Sequence, residues 1–149
     1  PLHSVRYLKN VLIPAIKEGA QKTGRANSAI QISVTAITAS TPEEENFARL
    51  QIAFYASTPS YRSVFSLHGW EGISEQLSKL AARGKWGEMG TLINDEILET
   101  FVVVAPRDKL GTAVKERYQD LADRLTLYTP FTPGERDDFW KNLMDVKNT

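Results

Sequence analysis

Apolar positions recur at helical spacing over most of this chain and alternate in only a few short stretches. Val5, Leu8, Leu12, Ile16 and Ala20 form one stripe, so a helix is expected from Val5 to about Lys22, with Ser4 as its N-cap. Pro14 lies inside it, deletes the hydrogen bond to the Asn10 carbonyl and predicts a kink. Gly24 supplies the stop. From Ile30 to Ile37 the pattern changes to alternation, the mark of a strand. Thr41-Pro-Glu-Glu44 then opens a helix with a capping hydroxyl, a proline at the first position and a glutamate completing a capping box. Phe47, Leu50 and Phe54 are its expected buried face. Ser57-Thr-Pro59 interrupts it and starts a further helix to about Leu67.

Another helix is expected from Glu71 to Arg83, with Ile73, Leu77 and Leu80 inward and Gly84 as its end. Trp86, Met89, Leu92 and Ile93 mark a short helix, and Trp86 and Met89 read as core. Asn94 and Asp95 offer a cap for the turn carrying Ile97 and Leu98. Phe101-Val-Val-Val104 is β-prone. Pro106 starts a helix with Leu110, Val114, Tyr118 and Leu121 inside. Arg124 to Tyr128 reads as a strand. Thr132-Pro-Gly-Glu135 is a second capping box, before a last helix anchored by Phe139, Trp140, Leu143 and Met144.

Strands alternating with helices point to a helix-rich α/β fold with a parallel sheet. Only two strands are convincing, and two parallel strands cannot bury both faces of a sheet. The rest of the sheet is expected from upstream residues or from another chain. The chain begins at Pro1 rather than Met, from which processing or an upstream sequence is expected. Residues 1–149 read as a single domain or fragment, without internal repeat, low-complexity tract or linker.

Charge narrows the partners. Lys+Arg and Asp+Glu both number 18, giving zero formal net charge, so no nucleic-acid or membrane-surface footprint is present. No apolar run is long enough to span a membrane. There is no cysteine, which excludes disulfides and thiolate metal sites and suits the cytoplasm. His3 and His68 are 65 residues apart and give no metal-ligand pattern. Gly-x-Ser-x-Gly, Walker and Gly-x-Gly-x-x-Gly motifs are absent, and no carboxylate pair has a spacing that marks acid–base catalysis.

One stretch is specific in its order: Gln51-Ile-Ala-Phe-Tyr-Ala-Ser-Thr-Pro-Ser-Tyr-Arg62, followed by Leu67-His-Gly-Trp70. It resembles the segment after the seventh strand of luciferase-like monooxygenases, in the branch that uses the deazaflavin coenzyme F420. Other blocks resemble the family in the same order. Pro1-Leu-His-Ser-Val-Arg-Tyr-Leu-Lys-Asn-Val-Leu-Ile-Pro14 is similar to the segment after barrel strand six. Ile30 to Ser40 is similar to strand seven, and Trp86-Gly-Glu-Met-Gly-Thr-Leu-Ile-Asn-Asp-Glu96 to the second half of the insertion before strand eight. Phe101-Val-Val-Val-Ala-Pro-Arg-Asp-Lys109 resembles the loop opening the final helix, with Ala105 where that loop usually has Gly. Asp123-Arg-Leu-Thr-Leu-Tyr-Thr-Pro130 is similar to strand eight.

The resemblance implies the C-terminal part of a TIM (β/α)8 barrel with a helical insertion before the last strand. A whole barrel needs about 250 residues. It implies an oxidoreductase moving a hydride between F420 and a small organic substrate, with the cofactor, or FMN as the alternative, bound mainly by residues upstream. This chain alone is then expected to be inactive. A non-catalytic remnant that self-associates is the reading from a different class. Implied partners are a small-molecule substrate and either a second copy or the missing N-terminal half.

Candidate residues follow from this placement, and no catalytic residue is assigned. His3 is a polar group at the rim of the cofactor cleft or a solvated loop histidine. Ser40 and Thr41 cap a helix and, as hydroxyls at a helix N-terminus, suit the cofactor's phosphodiester. Tyr128, with Thr129, ends strand eight and faces the site if the barrel is complete. Tyr55, Tyr61 and His68 are candidate walls of a substrate pocket, with Trp70 beside them as a core anchor. Arg62 reads as one half of a surface ion pair. The Glu43-Glu-Glu45 cluster suits a helix dipole.

Overall fold

The computed structural model describes residues 2–129, 133–134 and 137–145, the last four of these for their backbone alone. The Thr132–Glu135 capping box and the side chains of Leu143 and Met144 lie outside the described residues.

The first helical segment is built of three pieces: α1 (Val5–Tyr7), a π-helical turn over Leu8–Leu12, and α2 (Ile13–Lys22). The kink expected at Pro14 is replaced by this wide turn. The Ile13 N–H reaches back five residues to the Leu8 carbonyl, and Pro14 enters α2 in its first turn, where a missing N–H does least harm. Leu8 and Ala20 are buried, whereas Leu12 on the predicted stripe is exposed, because the extra residue in the π turn rotates the face. Gly24 ends α2 at φ 66°.

Strand β1 (Ser33–Ala39) starts and ends later than the alternation suggested. Its start is set by tertiary contacts: Ile32 N–H donates to the Asp123 carboxylate at 2.7 Å, and the Ile32 carbonyl accepts from the Asp123 and Arg124 N–H groups. Those bonds align β1 with β3 (Arg124–Leu127), in parallel, Ser33 opposite Arg124. A third strand, β2 (Val102–Val104), pairs in parallel with the other edge of β1, Ile37 opposite Val102. The order is β2-β1-β3. The Phe101–Val104 run thus makes a real strand, one residue shorter than expected because Phe101 closes a helix.

Five helices lie between β1 and β2: α3 (Pro42–Ala56), α4 (Arg62–Ser66), α5 (Glu71–Ala82), α6 (Trp86–Met89) and α7 (Asp95–Phe101). Thr41 caps α3, accepting from the Glu44 N–H at 3.2 Å, and Asn94 caps α7, accepting from the Ile97 N–H at 2.9 Å. The run from Ser57 to Leu67 is broken into a 3-10 turn over Pro59–Tyr61 and then α4. Between β2 and β3 runs α8 (Leu110–Tyr118), and α9 (Asp137–Asp145) packs on it. Helix α8 starts four residues after Pro106, which stands in the loop.

The buried face of α3 is the main correction. Ala48, Ile52, Ala53 and Ala56 are buried, while Phe47, Leu50 and Phe54 are exposed. Small side chains let α3 lie close on β1 and on the insertion helices, a contact that large rings would hold apart. Trp86, expected in the core with Met89, is also exposed, whereas Met89 is buried as expected, and so is Ile93.

Two cores lie on the two faces of β1. Ile37 and Ala39 join Ile52, Phe65, Leu77, Ile97 and Phe101 under the insertion. Val34 and Ala36 join Leu8, Val114 and Tyr118 under α8. The central strand is therefore covered on both faces, as parallel sheets require. Its neighbours are not: Leu125 and Val104 are exposed, and a closed barrel is not formed by the described residues. Arg117, which the periodicity did not single out, ties α8 to the junction of α7 and β2. Its guanidinium donates to the carbonyls of Glu99, Thr100 and Val102, groups that the end of α7 leaves unpaired.

Candidate functional site

The C-terminal ends of β1 and β3 open into a shallow cleft of about 240 Å³, open mouth included, lined by Thr38, Ser40, Glu44, Arg107, Leu110, Thr129 and Phe139. Strand pleating places Thr38 and Ser40 on one side of β1, two residues apart. The Thr38 and Thr129 hydroxyls are 3.2 Å apart and join the two strand ends. The Glu44 carboxylate accepts from the Ser40 N–H at 2.7 Å, reaching one residue beyond the cap that a capping box usually closes, and Arg107 stands 3.5 Å from its other oxygen. The Ser40 hydroxyl is buried and has no hydrogen-bond partner among the described residues. A buried hydroxyl of this kind costs stability unless something satisfies it.

Ser40 and Thr41 thus sit where the sequence placed them, at the end of a strand and the start of a 15-residue helix. The Thr41 hydroxyl is committed to capping, and Ser40 supplies the free group. Arg107, Glu44 and Thr38 were missed as site residues. Their signals were present but weak: a capping-box glutamate, an alternating strand end and a cation in the loop that precedes α8.

Tyr128 and Thr129 point to opposite faces of β3. Thr129 lines the cleft, whereas Tyr128 reaches the α3 face, its hydroxyl accepting from that of Tyr55 at 3.5 Å. Tyr61 packs edge-on against Tyr55, with ring centroids 5.3 Å apart, so Tyr55, Tyr61 and Tyr128 form one cluster. The Tyr55 phenol is pushed up to about 12, first by the hydrogen bond with Tyr128 and then by partial burial. It stays protonated across the neutral range and acts there as a donor, not as a base.

His68 and His3 belong to a third region. Gly69, at φ 77°, closes α4 so that the Trp70 N–H donates to the Phe65 carbonyl at 3.1 Å. That turn lays the His68 ring on Trp70, centroids 4.8 Å apart and 17° from parallel. Ser4, buried at the start of α1, accepts from the Tyr7 N–H at 3.1 Å, and its hydroxyl lies 2.8 Å from His68 Nε2. Which of the two atoms donates follows the His68 tautomer, since the Ser4 oxygen can accept twice. His3 stands 3.3 Å from the Tyr118 hydroxyl, at the far end of α8 from Leu110, about 12 Å along the helix axis. Neither histidine lines the cleft. The structure brings together Ser40 and Thr41, separately Tyr55, Tyr61 and Tyr128, and leaves His3 and His68 apart from both groups. Trp70 packs against the core, as an anchor should.

Burial depresses the His68 pKa below 6.5, helped by Arg6 and opposed by Glu96. Below pH 6.5 the unfolded chain binds a proton at this site that the folded chain refuses, so stability falls as pH drops from about 6.5 toward the lower folded value. Replacing His68 with Gln should flatten the melting temperature between pH 7 and 5.5. An unchanged slope in that variant would remove His68 as its source.

Among the described residues no group of three or more His, Asp or Glu is placed to hold a metal ion, and no helix is long and apolar enough to cross a membrane. The sequence model of the luciferase-like monooxygenases matches residues 2–124. The chain belongs to the luciferase-like monooxygenase family. Similar proteins include uncharacterized proteins from two strains of Mycobacterium tuberculosis and one of Mycobacterium bovis, each 39% identical over 131 residues. The alignment covers 84% of this chain and 38% of each relative, so the chain spans about two fifths of their length. Luciferase-like proteins commonly use a flavin or F420. The helix-rich α/β fold with its small parallel sheet is consistent with part of a luciferase-like barrel, and the cleft opens at the strand ends where barrel enzymes place their sites.

Proposed function

We propose that this chain forms the C-terminal part of an F420-dependent oxidoreductase that moves a hydride between the deazaflavin and a small organic substrate. The observation that carries this reading is the buried, unsatisfied Ser40 hydroxyl at the N-terminus of α3, in a cleft at the C-terminal ends of parallel strands. A phosphate oxygen of the cofactor fits that hydroxyl, with Arg107 beside it as the counter-charge. Glu44 sets a condition on the fit. Its carboxylate already holds the Ser40 N–H, so Arg107 has to neutralise it before a second anion settles there. The ring does not fit here. The cleft is shallow and open, with none of the enclosed space of a usual ligand pocket. Ring binding then falls to residues upstream, which agrees with a chain spanning 38% of its relatives. The exposed Val104 and Leu125 would be covered by the strands those residues supply.

When bound, the deazaflavin accepts or donates the hydride. The residues of this chain hold its phosphate end at Ser40 and Arg107 and, through Tyr55, Tyr61 and Tyr128, offer an aromatic wall.

The test is a fluorescence titration of the full-length protein with F420. Ser40→Ala should weaken binding about tenfold, the worth of one hydrogen bond to an anion, with a melting temperature no lower than the parent's, because the buried hydroxyl has no partner among the described residues and costs stability. Stoichiometric binding of FMN with none of F420 would transfer the reading to the FMN alternative. Binding of neither would overturn it.

A further inference from the structure

Few donors are left open around Ser40, and the charges beside it offset each other. A helix N-terminus ordinarily offers several N–H groups to a phosphate. At the start of α3 most are already committed. Pro42 has no N–H, the Glu44 N–H goes to the Thr41 hydroxyl at 3.2 Å, and the Ser40 N–H goes to the Glu44 carboxylate at 2.7 Å. The Glu43 carboxyl is held below its ordinary pKa by its own N–H and then by the Thr41 hydroxyl, so that N–H is engaged as well. The Thr38 and Thr129 hydroxyls are bonded to each other. What faces a ligand is the Ser40 hydroxyl, buried and without a partner among the described residues, and the Arg107 guanidinium. Among the described residues lining the cleft, Arg107 is the one cation and Glu44 the one carboxylate. They stand 3.5 Å apart.

We propose that Glu44 is a specificity residue: it fits the cleft to a ligand whose phosphate is a diester, as in F420, and turns away one that ends in a phosphate monoester, as FMN does. The inference rests on the cleft being the phosphate site. A phosphodiester brings one negative charge and two non-bridging oxygens, which match one guanidinium and one hydroxyl. A monoester brings three free oxygens and, near neutral pH, a charge of about −1.5 to −2. It finds no further cation in the cleft, and its extra charge meets the Glu44 carboxylate. Glu44 acts in two ways. It occupies the Ser40 N–H, which closes the backbone donor nearest the hydroxyl, and its charge offsets that of Arg107. Glutamine at this position keeps the first and removes the second, because the amide oxygen still accepts from the Ser40 N–H. The charge can therefore be tested by itself.

The test titrates two probes with one ring into the full-length protein and reads deazaflavin fluorescence. One probe is F420. The other is the same deazaflavin with a terminal 5′-phosphate in place of the diester tail. The parent should bind F420 more tightly. Glu44→Gln should tighten both, the monoester more, and move the ratio of dissociation constants about fivefold toward the monoester. That is the effect of removing one unit charge about 5 Å from the second phosphate charge. Added salt should shrink the movement. Glu44→Asp, which keeps the charge, should keep the parent ratio. Arg107→Gln, at an exposed site, should move the ratio by a similar factor the other way, and it reads the same charge count if Glu44→Gln does not fold. Tighter binding of the monoester by the parent would overturn the proposal. So would a ratio unmoved in both Glu44→Gln and Arg107→Gln; if Ser40→Ala still weakens F420 binding, the cleft reading stands without it. F420 binding indifferent to Ser40→Ala would overturn the cleft reading and this inference together.

Discussion

Val34→Asp in the full-length protein should abolish cooperative unfolding, leaving a sloping thermal trace in place of a transition. Val34 is 4% exposed in the middle strand of the sheet, opposite Leu125 of β3, in the core formed with Leu8, Ala36, Val114 and Tyr118. No cation among the charged groups described lies in that cluster to pair with a carboxylate. A carboxylate there either ionises without solvation or stays protonated and unpaired, at a cost of several kcal/mol in either form. Domain stability is about 5–15 kcal/mol, so one such substitution removes much or all of it. Val34→Ala, which only deletes two methyl groups, should cost about 2 kcal/mol and keep the transition. An aspartate variant that melts like the parent would remove Val34 from the core. Ile32, half-buried and ahead of the strand, should tolerate the same change better.

Phe65→Ala should lower stability by about 3–5 kcal/mol, read as a shift in the denaturant midpoint at constant slope. Phe65 is fully buried in α4, stacked on Phe101 at 5.3 Å and edge-on to Trp70 at 5.9 Å. It joins α4 and the turn directly after it, which carries His68, to the distant end of α7 that leads into β2. Removing the ring leaves a cavity that Phe101 and Trp70, each held by its own neighbours, cannot fill. The loss should also loosen the His68–Ser4 contact, because the Trp70 ring on which His68 stacks rests edge-on against Phe65. Phe65→Leu keeps most of the volume and should cost about half as much. A loss under about 1 kcal/mol for Phe65→Ala would show that the insertion packs without this ring.

The candidate site divides along the same line as the fold. Ser40 and Thr41 were legible because an alternating strand followed by Thr-Pro-Glu-Glu has one local solution, a strand end feeding a capped helix. Tyr55, Tyr61 and Tyr128 were each legible as aromatic residues with a polar tip, yet their meeting was not, since it depends on β3 lying beside β1 and under α3. His68 looked like a pocket residue from its position near Tyr61. Its partner is Ser4, 64 residues away, and no local pattern announces that contact.

The sequence by itself determined what short-range geometry controls: the helices, most of their caps at Ser4, Thr41 and Asn94, the stops at Gly24 and Gly84, and the α/β class. The ordered motifs also carried the family. The tertiary structure decided three things. It chose which face of α3 is buried, because closeness to β1 favours Ala48, Ile52 and Ala56 over the larger Phe47 and Phe54, a choice that hydrophobicity alone reverses. It made Val102–Val104 a strand by offering the free edge of β1, and it set the start of β1 through the Asp123 carboxylate. It left the Ser40 hydroxyl buried without a partner among the described residues, since burial is a sum over elements that meet only when the chain has folded.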